Sequence, residues 1–178
     1  MLKRNLIILI VFFATSLFSF GQRIALKTNT LDWLVASPNL GVEFVMSSKT
    51  SLNVNLSASP FSSKFFKNKH ALIGAEYRYW LSRPLSGHFF GAMAHVDEYS
   101  RYYFSNNYVG NQLAFGFTYG YNMILNDRWN LEFEVGAGYV RQREKKWNKK
   151  DIAPLINNNN KNTLAPIKLA VTFSYILK

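Results

Sequence analysis

The stretch Gln112-Leu113-Ala114-Phe115-Gly116-Phe117-Thr118-Tyr119-Gly120-Tyr121-Asn122-Met123 decides the fold. Its large apolar and aromatic residues, Leu113, Phe115, Phe117, Tyr119 and Tyr121, alternate with the small or polar Ala114, Gly116, Thr118, Gly120 and Asn122. Successive strand residues point to opposite faces, so a strict period of two marks a β-strand whose faces meet different surroundings. Downstream, residues 130–140 set Leu131, Phe133, Val135, Ala137 and Tyr139 against Glu132, Glu134, Gly136 and Gly138. Residues 167–177 set Ile167, Leu169, Val171, Phe173, Tyr175 and Leu177 against Lys168, Ala170, Thr172, Ser174 and Ile176. Five upstream segments, 24–30, 39–46, 51–58, 71–81 and 88–97, follow the same rule. Phe89 and Phe90 crowd both faces of the last, and a β-bulge is expected there. No segment carries an amphipathic helical pattern, so the chain reads as all-β with eight strands.

The connections alternate in length. Residues 47–49, 82–87 and 126–128 are short turns, whereas 31–38, 59–70, 98–111 and 141–164 read as longer loops. Short periplasmic turns and longer external loops, with both termini on the periplasmic side, are the plan of an outer-membrane up-and-down barrel. The predicted fold is an eight-stranded antiparallel transmembrane β-barrel over residues 22–178.

Alternation alone does not say which face looks inward, but side-chain volume does. An eight-stranded barrel has an interior just wide enough for side chains to fill, and stacked aromatics at this density would overpack it. The opposite face carries Gly41, Gly74, Gly91, Gly116, Gly120, Gly136 and Gly138, seven of the ten glycines. The apolar face is therefore expected to meet lipid. The inward face then holds Lys27, Glu43, Glu76, Arg78, Glu132, Glu134 and Lys168, with Asn53, Asn55 and Thr118. Three cations against four carboxylates predict an ion-paired plug, because an unpaired buried charge costs several kcal/mol. A narrow polar pore is the alternative.

The 178 residues are 48% hydrophobic, 17% charged and 16% aromatic, which excludes a disordered chain. With no cysteine, disulfides, thiol catalysis and cysteine-based zinc sites are all excluded. Lys3 and Arg4 precede an apolar run over residues 6–20, and Ser19-Phe20-Gly21 offers a small-residue cleavage site before Gln22. That order is a secretory signal peptide over residues 1–21, and the run falls short of the roughly 20 residues of a membrane helix. The formal net charge of +11 falls to +9 (11 − 2) once Lys3 and Arg4 leave.

Lys27-Thr28-Asn29, Pro38-Asn39-Leu40-Gly41-Val42-Glu43-Phe44, Glu76-Tyr77-Arg78-Tyr79-Trp80, Gly87-His88-Phe89-Phe90-Gly91 and the run from Gly120 to Glu132 resemble an uncharacterised domain family, DUF 3575. The resemblance implies a small exported outer-membrane β-barrel of Bacteroidetes-type, Gram-negative bacteria. It spans most of the mature chain and supplies no reaction. The chain departs from the aromatic ending common to such barrels, since it finishes Tyr175-Ile176-Leu177-Lys178.

Catalytic constellations are sparse. His88 and His95, seven apart, fall on opposite faces of one strand and cannot share a metal. His95 with Asp97 could form a lumenal base and its orienter, or simply a hydrogen-bonded interior pair. No Gly-x-Ser-x-Gly or phosphate loop occurs, and no catalytic residue, metal or cofactor is assigned. The loops carry the positive charge: Lys64, Lys67 and Lys69 in 59–70, then Arg141, Arg143, Lys145, Lys146, Lys149 and Lys150 in 141–164. They are candidates for docking on lipopolysaccharide phosphate, an anionic surface polymer or a protein partner; basic loops beside anionic head groups are the plain alternative. Tyr99, Tyr102, Tyr103, Phe104 and Tyr108 form either a recognition tip or an interfacial aromatic belt. Nucleic acid is not an expected partner. A non-enzymatic surface, adhesion or assembly role leads, ahead of an outer-leaflet lipid-modifying enzyme and a soluble exported barrel binding an apolar ligand.

Overall fold

The computed structural model describes residues 23–60, 67–103, 105–148 and 151–177. The expected signal segment lies outside them. Eight strands follow in chain order: β1 (Ile24–Asn29), β2 (Asn39–Val45), β3 (Thr50–Ser59), β4 (Lys67–Trp80), β5 (Gly87–Tyr103), β6 (Asn106–Ile124), β7 (Trp129–Asn148) and β8 (Asn159–Ile176). Each pairs antiparallel with its chain neighbours, and β8 returns to β1 from Ala25↔Ile176 to Asn29↔Thr172. The sheet thus closes on itself in a ring as a barrel. One turn of helix, α1 (Thr30–Leu34), interrupts the first long connection; its cap is Asn29, whose side chain accepts from the Leu31 amide at 3.2 Å. Five residues are too few to show a helical period in sequence.

The faces fall as the volume argument requires. Lys27, Glu43, Asn53, Glu76, Arg78, Thr118, Glu132 and Glu134 are buried in the lumen, while Tyr77, Phe90, Phe115, Phe133 and Val135 are exposed outside. Phe117 is 77% exposed and Leu169 66%, so large apolar side chains stand on the outer wall.

Three expectations need correction. The stretches read as loops over 98–111 and 141–164 are mostly strand: β5 and β6 pair as far as Tyr103↔Asn106, and β6 and β7 as far as Asn106↔Asn148. Both faces of these extensions are polar, so the period of two vanishes although the backbone ladder continues. The bulge is not at Phe89–Phe90, where β4, β5 and β6 pair without a shift. Phe89 turns inward instead, against Gly120, where a Cβ would stand 2.5 Å from the ring edge at Cε1. The register shift lies between Gly136 and Ala137, opposite Lys168 and Pro166. Proline has no amide to donate to the ladder, so the irregularity falls beside it. Residues 82–87 form the expected tight turn, closed by the Arg83↔Ser86 bridge, with Leu85 at φ 63° and Gly87 at φ 75°.

Candidate functional site

The lumen is layered from the short-turn end upward. Its floor is apolar: Ala25, Trp80, Leu85 and Phe89 form a buried cluster, with the Trp80 and Phe89 ring centroids 4.7 Å apart. Asn130 ties the turn beneath by donating to the Leu85 carbonyl at 2.8 Å. Trp80 was legible in principle, because it shares strand parity with Glu76 and Arg78.

Above the floor sits the ionic layer, and all seven lumen residues expected from the sequence join it. The Arg78 guanidinium reaches four carboxylates: Glu76 at 2.7 Å, Glu134 at 2.9 Å, and Glu43 and Glu132 at 3.0 Å each. Lys27 bonds Glu43 and Glu132, both at 2.7 Å. Lys168 stands 3.9 Å from Glu134. Neutral groups complete the layer: Ser51 donates to Glu43 at 2.5 Å, Asn122 to Glu132 at 3.1 Å, and Thr118 to Glu76. The Trp80 indole donates to Ser51 at 2.8 Å, and Arg78 lies 4.4 Å over the Phe89 ring, so floor and layer are one unit. Ser51 and Asn122 do not stand out in the sequence, since only the strand register brings them to Glu43 and Glu132. Dense charge pairing of this kind fills a lumen; it leaves a cavity of about 30 Å³ among Asn53, Asn55, Glu134 and Lys168.

A vestibule of about 360 Å³ opens above, where Asp32, Ser57, His70, His95, Arg101 and Lys168 share the lining with apolar residues such as Leu72, Met93 and Ile167. Burial raises the Asp32 carboxyl, on α1, above its ordinary range, against the Asn29 hydrogen bond and the Lys168 charge. His95 faces inward and His88 outward, as their spacing requires. Asp97 does not orient His95: it pairs with Arg101 at 3.0 Å, and His95 approaches Gln112 at 3.5 Å. His88 Nδ1 and the Tyr119 hydroxyl share a hydrogen bond at 2.7 Å, and the His88 ring packs 4.7 Å from Tyr121 on the outer wall. The register also joins Ser57 Oγ to His70 Nε2 at 3.3 Å, a pair no local motif announces. Among the described residues His70 Nδ1 is buried with no partner, and none of their carboxylates orients that ring as a triad would need. Among the described residues no group of three or more His, Cys, Asp or Glu is placed to hold a metal. No helix there is long and apolar enough to cross a membrane.

The basic candidates divide by face. Arg143 and Lys145 sit on β7 at outward positions, in line above Arg141 and Tyr139, whereas Lys146 takes the other face, 5.6 Å from the Tyr108 ring. They stand on strand and not on loop, because the β6–β7 ladder carries the chain past them. Lys69 is exposed at an outward position of β4. Lys64, Lys149, Lys150, Phe104 and the side chains of Lys67 and Tyr103 lie outside the described residues. Tyr99 is no recognition tip: it is buried and donates to Glu144 at 2.7 Å, and Gln142 donates to the same carboxylate at 2.8 Å. Asn159 also donates to Glu144, which pins the tall β7–β8 hairpin.

The model of one protein family, described as protein of unknown function (DUF3575), matches residues 7–177. No curated protein and no solved structure matches the chain.

Proposed function

The chain belongs to the DUF3575 family, and from that premise, which supplies no reaction, we propose a small non-enzymatic outer-membrane protein of a Gram-negative cell. It is exported by its signal segment, crosses the outer membrane with eight strands, conducts nothing, and serves at the surface through its basic and aromatic hairpins. The observation that carries this reading is inverted polarity. Charged residues such as Glu43 and Glu132 have no exposure at all inside, while Phe117 and Leu169 look outward. A soluble barrel for an apolar ligand calls for the reverse, and here charged side chains reach into both lumenal cavities, Arg101 and Lys168 into one and Lys27, Arg78 and Glu134 into the other. The surface role is supported by the cations at the hairpin end, which stand where lipopolysaccharide, a surface polymer or a protein partner would meet them.

Cells displaying the protein are expected to adhere to a surface coated with an acidic polysaccharide, and less so as salt rises. Reversing Arg143 and Lys146 together to Glu is expected to lower adhesion about tenfold. Equal adhesion by cells displaying the native protein, cells displaying the variant and cells lacking the protein would leave a purely structural role.

A further inference from the structure

Two hollows on the outer wall adjoin, and their chemistry is opposite. The lower is an apolar groove of about 600 Å³ along β2, β3 and β4, lined by Leu40, Leu56, Ala58, Ala71 and Ile73, with Pro38 at its end. The upper is a shallow depression of about 500 Å³ across β4 to β7, with Lys69 at one side and Lys145 at the other. Ala71 belongs to both.

The register fixes why they meet. Ala58 pairs with Ala71, so two small side chains face each other on the outer wall where larger ones stand one step lower, at Leu56↔Ile73. Lys69, Ser100, Val109 and Lys145 share one row across four strands through Lys69↔Ser100, Ser100↔Val109 and Val109↔Lys145. Three strand spacings put the two lysines about 14 Å apart at their backbones. Among the described residues no carboxylate lies within salt-bridge distance of either. Glu98 lines the same depression and stands one outward position below Ser100.

We propose that the two hollows together hold one phosphorylated, acylated glycolipid of the outer leaflet. Its phosphates lie against Lys69 and Lys145, a sugar hydroxyl donates to Glu98, and one acyl chain follows the groove past Ala58 and Ala71. An acidic polymer would use the lysines and leave the groove empty; an apolar chain alone would leave the lysines unmatched. Only an amphiphile with a wide anionic head answers both. The site rests on the outer-membrane location proposed above, because only there does the groove face lipid.

The test uses the full-length protein, folded in phosphatidylcholine nanodiscs, with diphosphoryl lipid A, dephosphorylated lipid A and inorganic phosphate as probes. Retention of one lipid A per protein is expected, with at least tenfold weaker binding of the dephosphorylated form and no competition by inorganic phosphate. Lys69→Gln with Lys145→Gln is expected to weaken lipid A binding about tenfold. Ala71→Trp, which fills the joint, is expected to weaken both lipid forms. Each variant is first checked for the faster unboiled band of a closed barrel. Unchanged binding in folded variants overturns the site and leaves the location standing. Native protein that washes off the membrane as soluble overturns both.

Discussion

Replacing Arg78 with alanine is expected to destabilise the barrel by about 3–5 kcal/mol, the cost of breaking a buried ion pair by removing one partner. Four carboxylates converge on this one guanidinium, and both its side chain and theirs are nearly or wholly buried. Without it, Lys27 is the remaining cation bonded to Glu43 and Glu132, and Glu76 loses its ion pair while keeping the Thr118 hydroxyl. The urea midpoint of the folded protein in detergent, followed by tryptophan fluorescence, reads the loss. Two comparisons separate charge from volume. Lys168→Ala is expected to cost under about 1 kcal/mol, since its amine is 3.9 Å from its carboxylate and partly open to the vestibule. Arg78→Met combined with Glu132→Gln is expected to recover part of the loss, because one charge of each sign leaves together. A midpoint unmoved by Arg78→Ala contradicts the plug.

Gly138→Val is expected to cost about 3 kcal/mol or more and to lower the yield of folded barrel. Gly138 pairs with Gly116, and a Cβ on Gly138 would meet the Phe115 carbonyl oxygen and stand 2.7 Å from Gly116 Cα. These are backbone atoms of the neighbouring strand, so no side-chain rotation relieves the contact and the strands themselves must part. Ala137→Val adds the same branched side chain one residue away, where Ala137 faces outward. It is expected to leave stability within about 0.5 kcal/mol. Refolding yield and urea midpoint of the two variants, measured side by side, give the contrast; equal behaviour contradicts the close strand approach.

How much of this was legible in the chain follows from where alternation persists. Between Leu113 and Met123 each residue meets either the lumen or the outer wall, so the period of two survives and face, parity and pairing can all be read. The lumen layer was legible for the same reason: Glu76, Arg78, Glu132 and Glu134 sit at inward parity beside glycines. Beyond the apolar band both faces of a hairpin carry mostly polar residues. Arg141 to Asn148 therefore looked like loop although it continues β7. Phe89 reads as a bulge in the sequence because a single strand does not reveal that Gly120, on the neighbouring strand, makes room for its ring. Ser57 and His70, or Lys69 and Lys145, meet only through cross-strand register, which local sequence does not encode.

The most direct test of the central claim compares the full-length protein in its membrane fraction, unboiled and boiled in SDS. A closed barrel with its ionic layer intact is expected to stay with the outer membrane and to run faster unboiled than boiled. Unchanged mobility, with the protein washed off the membrane as a soluble species, would contradict the account.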